Sequence, residues 1–136
     1  MNTGRGRNAI IVTSSQPINM AAYNRAGTSC GGFLVLPTSG LGHFYRVVAW
    51  NDPSEFTQMG VAALRDNTTV QVTFAPDSAL SVRFEGVEYR QMDTLTVTLN
   101  AYETLQIQER NGNDISGTRV VADDLVAVFS GNFHTG

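Results

Sequence analysis

The feature that most restricts this chain is strict alternation. In "TLTVTL" (94–99), Leu95, Val97 and Leu99 fall on one side and threonines on the other. A period of two puts one face on a core and leaves the other in water, which is the signature of a half-buried strand. Similar runs occur at 9–13, 17–23, 31–37, 43–50, 56–64, 69–74, 79–86 and 103–109, and again in "GTRVVA" and "LVAVFSG" near the end. Turn-forming residues such as "NDPS" (51–54) and "RNGND" (110–114) separate them. About ten short strands and no secure helix predict an all-β fold, an antiparallel β-sandwich.

A nine-residue pattern sharpens this. "VTSSQPINM" (12–20), "LRDNTTVQV" (64–72) and "VVADDLVAV" (120–128) each read apolar, variable, four mostly turn-forming residues, apolar, variable, apolar. Each is read as a strand, a tight turn and a return strand, and the three as equivalent, internally repeated units. Val12, Ile18, Met20, Leu64, Val70, Val72, Val120, Val126 and Val128 are then expected in the core. The third copy opens a unit that the remaining residues do not complete. Residues 1–136 are therefore read as one β-domain belonging to a longer chain or an assembly.

Composition limits the function. Apolar residues make up 42% and charged residues 15%, with a net charge of −3. That balance gives no electrostatic pull toward nucleic acid or anionic membrane. No run approaches the 18 or so apolar residues of a membrane span, and "MNTGRGRNAIIV" has no apolar run of signal-peptide length. All nine basic residues are arginine. Two readings stand: compositional drift, or a surface that uses planar, bidentate contacts where lysine would stay hydrated. With few charges, no Lys and four Pro, exposed strand edges are poorly blunted. A protein partner, either a ligand or a neighbouring subunit, is expected to add strands by β-augmentation.

Chemistry-bearing residues are few. "GTSCGG" (27–32) sets Cys30 among glycines, like the nucleophile turn of chymotrypsin-like cysteine proteases, where backbone amides form an oxyanion hole. That fold places its His and acid well before the nucleophile. Here His43 and His134 both follow Cys30. No enzyme is expected. Two His and one Cys, with no close spacing, make no zinc set, and Asp123–Asp124 and "NGND" fit ordinary turns. No metal or cofactor is implied. Cys30 has no partner within the chain, so it is either free or a candidate intermolecular disulfide. "NTT" makes Asn67 a candidate N-glycosylation site on an accessible turn.

Five stretches taken in order, "AIIVTSSQPINMAAYN", "GGFLVLPTSGLGHFYRVVAW", "VAALRDNTTVQVTF", "TLTVTLNAYETLQIQ" and "ISGTRVVADDLVAVFSGN", resemble the N-terminal domain family of IgGFc-binding proteins. The resemblance runs from about Asn8 to Asn132. It implies a β-rich extracellular module of large secreted or surface proteins, often beside mucin-type domains and tied to mucus and adhesion. The expected function is a non-enzymatic protein-binding module. The competing expectation is a structural subunit of a filament, fibre or particle built from β-domains.

Overall fold

The computed structural model describes residues 3–27, 29–50, 56–77, 79–109 and 111–132. Among them are eleven strands and no α-helix: β1 (Gly4–Gly6), β2 (Ala21–Ala26), β3 (Ser29–Leu34), β4 (Gly42–Arg46), β5 (Thr57–Ala63), β6 (Thr68–Thr73), β7 (Ser81–Phe84), β8 (Val87–Arg90), β9 (Thr94–Leu99), β10 (Thr104–Gln108) and β11 (Arg119–Asn132). The all-β, antiparallel expectation holds. One curled seven-stranded sheet runs β1-β10-β5-β11-β6-β9, with β4 added beside β11; β2–β3 and β7–β8 are separate two-stranded sheets.

Alternation works as the sequence implies. In β9, Leu95, Val97 and Leu99 are buried and the threonines exposed. β5 and β6 alternate in the same way, and their buried residues meet those of β9, β10 and β11 in one core. The β7–β8 hairpin adds Val82 and Phe84 to it. Its two-residue loop, Glu85 (φ 48°) and Gly86 (φ 87°), has positive φ at both positions, the geometry that matches strand twist in tight hairpins. Because Glu-Gly is a weaker turn signal than Asn-Gly or Asp-Gly, β8 escaped the sequence reading.

The repeat expectation needs correction. Segment 12–20 forms no strand, and Val12 and Ile18 are exposed. A strand exists only if a neighbour takes its backbone groups. Here only the end of the segment has one, the Met20 carbonyl accepting from the Val35 amide (2.9 Å), and Pro17 has no N–H to offer. Segment 120–128 is no hairpin either; it lies within the single strand β11. Its first part, Arg119–Ala122, pairs with β6, and its second, Val126–Asn132, pairs with β5. Against β4 the register jumps between Val121 and Val126. β11 thus passes from one half of the sheet to the other across a wide bulge, as strands do at sheet corners.

Segment 64–72 makes a matching passage, because residues 64–67 link β5 to β6, which follow one another along the edge of β11 opposite β4. β4 lies on one edge of β11 and β5 followed by β6 on the other, with β10 beyond β5 and β9 beyond β6. Residues 100–103 join β9 to β10 in the same way. The resulting stretch, "LNAYETLQI" (99–107), fits the nine-residue pattern too. The three stacked units are therefore 64–72, 99–107 and 120–128. Val70, Val72, Val120 and Val126 are in the core, Val128 packs against it, and Leu64 and Met20 are half-buried. The terminal segment finds its strand partners within the chain.

The three crossings hold one another. The Tyr102 amide donates to the Ala63 carbonyl (2.9 Å) and the Ala63 amide to the Glu103 carbonyl (3.1 Å). The Ala101 amide donates to Asp66 Oδ1 (2.9 Å) and the Thr69 amide to Asp123 Oδ1 (2.7 Å). Tyr45 clamps the bulge: its hydroxyl accepts from the Gly42 amide and donates to the Val126 carbonyl, both at 2.7 Å. At the opposite end, the fully buried Glu109 carboxylate accepts from the Asn111 and Asn113 amides (2.8–2.9 Å) and orders the loop before β11.

Tyr45→Phe removes the clamp and leaves a strand amide and carbonyl at the corner without it. It should destabilise the fold by about 1–2 kcal/mol. Urea unfolding checks this: the midpoint should fall at an unchanged m value, and an unmoved midpoint would show that the corner holds without it.

Candidate functional site

Two surfaces stand out. The first is apolar. Among the described residues β2 and β3 pair only with each other, and the segment before them carries Ile10, 91% exposed, with Ile11, Val12 and Ile18 also exposed. The Phe33 ring of β3 meets the Phe129 ring of β11 at 5.2 Å between centroids and 51° between planes, yet each stays about half exposed. The Ser130 hydroxyl donates to the Val48 carbonyl (2.7 Å), which brings exposed Val48 alongside. Leu34, Leu36, Phe44 and Trp50 (72% exposed) extend the apolar character of this part of the chain. Aromatic residues left in water are the usual anchors of protein interfaces.

The second surface is cationic. Arg46 on β4 and Arg119 on β11 are register partners, Arg119 is also opposite Thr73 on β6, and Thr73 is opposite Thr94 on β9. In-register partners share a face, so these four side chains form one row across the outside of the sheet. Arg46, Thr73 and Arg119, with Phe74, Pro76, Met92 and Gly117, line a cleft of about 300 Å³. Arg46 Nη1 donates to the Gly117 carbonyl (2.9 Å), and the Thr73 and Thr94 hydroxyls lie 3.0 Å apart. Among the described residues, neither arginine of the row has a carboxylate within ion-pair distance, whereas Arg5, Arg65 and Arg90 each have one.

The residues singled out in the sequence do not converge. Cys30 is exposed and free on β3, and its register partner is Arg25. His43 is exposed on β4, and His134 lies outside the described residues. Among the described residues, no hydrogen bond joins Cys30 to a histidine or an acid. Of the two glycines after Cys30, Gly32 has a packing reason and Gly31 has open space around it. A Cβ on Gly32 would come within 2.8 Å of Tyr23 Cδ1, so the Tyr23 ring lies across it. Asn67 sits exposed at the tip of its crossing with φ 60°. Asp114 caps the Ser116 amide (2.7 Å), and Asp124 pairs with Arg65 (3.4 Å). The arginine row escaped the sequence reading because its members are far apart in the chain. Only the absence of lysine hinted at it.

One family model, described as IgGFc binding protein, matches residues 31–135. The chain belongs to the IgGFc-binding protein family. Human IgGFc-binding protein is 31% identical over 128 residues, which cover 93% of this chain and 2% of that protein. The chain thus spans a small fraction of this curated relative's length. No solved structure matches. Within the family, the matched region takes in all three crossings and the arginine row.

Asp123 gives the crossings a pH dependence. Its carboxyl is held below the usual 3.8, chiefly by the Thr69 amide and then by the Thr69 hydroxyl. A depressed folded value means the ionised form stabilises the fold: the contribution is present above 3.8 and disappears as pH falls through the folded value. Asp123→Asn keeps an acceptor for Thr69 but not the charge. The difference in Tm between wild type and this variant should be constant at neutral pH and shrink below about pH 4. A difference that does not narrow in acid would show that charge adds nothing there.

Proposed function

We propose that the chain is a non-enzymatic, extracellular protein-binding module of a secreted or surface protein, working within a longer polypeptide or an assembly. The observation that carries this reading is the concentration of solvent-exposed aromatic and aliphatic side chains on β3, β11 and the segment after β4, around the Phe33–Phe129 pair. A core this well sealed elsewhere has no structural use for these side chains in water. Family membership supports a binding role, and the relative named for binding IgG Fc makes Fc the first ligand to test. β-Augmentation has an opening as well, since β9 pairs only with β6 among the described residues. Asn67 is proposed as the N-glycan site and Cys30 as the thiol for an intermolecular disulfide. Both are exposed.

Residues 1–136, produced through a secretory pathway, should bind immobilised IgG Fc. Phe33→Ser, which lies outside the buried core, should weaken binding at least tenfold, a loss of about 1.4 kcal/mol. Intact mass should show a glycan removed by Asn67→Gln and a dimer removed by Cys30→Ser. Sedimentation that shows self-association without Fc binding would replace this reading with the structural-subunit one. A chain that binds no Fc and stays monomeric at about 100 μM, a concentration that detects weak association, overturns both.

A further inference from the structure

The arginine row has a cost that its fold does not repay. Like charges directly opposite on neighbouring strands destabilise a sheet, yet Arg46 faces Arg119 across β4 and β11. No carboxylate among the described residues relieves them, and the chain carries a net charge of −3, so acidic residues are not scarce. Arg46 uses one N–H on the Gly117 carbonyl, which orients the guanidinium and leaves its other donors open. The neighbouring wall is apolar: Phe74, Pro76 and Met92. Met92 is 62% exposed and holds a φ of 62°, uncommon for a non-glycine residue. Its turn is pinned by its own amide to the Phe74 carbonyl (3.3 Å) and by the Arg90 amide to Asp93 Oδ2 (2.8 Å). An apolar side chain is thus held out in water beside two uncompensated cations.

We propose that this cleft is a carboxylate-binding site that takes an acidic segment of a protein partner. Arg46 and Arg119 hold the carboxylate with the Thr73 hydroxyl beside them, and Met92 and Pro76 receive the side-chain stem or an adjoining apolar residue. The planar guanidinium fork matches a carboxylate in two-point contact. The apolar wall suits a group attached to hydrocarbon better than a bare inorganic ion. The inference rests on the protein-binding reading above and names a second contact of the same module, distinct from the Phe33–Phe129 surface.

The test is a titration of isotope-labelled residues 1–136, following the Nε–Hε signals of Arg46 and Arg119 by NMR. The probes are the peptide acetyl-Glu-Phe-Glu-amide, its Gln-Phe-Gln analogue and sodium sulfate, all at matched ionic strength. The acidic peptide should shift both signals saturably. The Gln analogue should bind at least tenfold more weakly, and Arg119→Gln should abolish the response. In low salt without peptide, Arg119→Gln should raise Tm, because it removes the like-charge opposition. No saturable shift with any probe overturns the site. A stronger response to sulfate than to the acidic peptide overturns the acidic-segment assignment in favour of a tetrahedral anion. Arg119→Gln lowering Tm without moving the peptide affinity makes the row structural and also overturns the proposal. If the titration fails while Phe33→Ser still weakens Fc binding, only this inference falls.

Discussion

The fold turns on one strand that must belong to both halves of a sheet. β11 pairs with β6 on one side of its bulge and with β5 on the other. Between Ala122 and Val126 it leaves the regular ladder, and each backbone group released there needs another partner. Side chains supply several: Tyr45 takes the Val126 carbonyl, and the Asp123 carboxylate takes the Thr69 amide of the adjacent crossing. The other two crossings stack on this corner through Leu64, Ala63 and Tyr102. Removing the corner would leave β5 and β6 without the one strand that both pair with. The core they enclose depends on all of them, since Val61, Leu105 and Ile107 come from one side and Val70, Val72 and Leu99 from the other.

Alternation made the strands legible, because a period of two is a property of neighbouring residues. Pairing was not legible in the same way. The nine-residue pattern marks a chain that leaves one strand, crosses and enters another, but it says nothing of whether the two legs pair with each other. Here they do not. The same pattern at 12–20 has the right apolar positions, but only Met20 reaches a neighbouring backbone, so the segment stays irregular. At 99–107, "NAYE" lacks the Gly, Pro or Asp that usually marks a turn, yet Tyr102 adopts a φ of 68° and the crossing forms. Tertiary contact overrode local preference in both directions.

The candidate surfaces were less visible than the fold for a related reason. Arg46 and Arg119 become neighbours only through the register of β4 on β11, and Thr73 joins them through the register of β6 on β11. No local motif encodes that row. The Phe33–Phe129 contact joins residues from opposite ends of the chain. What was legible was compositional: arginine in place of lysine. Cys30 drew attention because cysteine among glycines suggests reactivity, but one of them, Gly32, makes room for Tyr23.

The two surfaces differ in what supports them, and that decides how each can act. The arginine row sits on four adjacent strands of the curled sheet, so the spacing of its guanidiniums is set by a ladder that the core holds in place. A preformed site of this kind loses little conformational freedom when a partner arrives. The Phe33 side of the apolar surface sits on a two-stranded sheet outside the main ladder. Isolated hairpins are marginal in water, so a partner that covers Phe33 and Phe129 gains contact area and also supplies the face on which β2–β3 would rest. Affinity at the first surface is therefore governed by charge and geometry, and at the second by how much apolar area is covered. A partner engaging both would be positioned by the first and retained by the second.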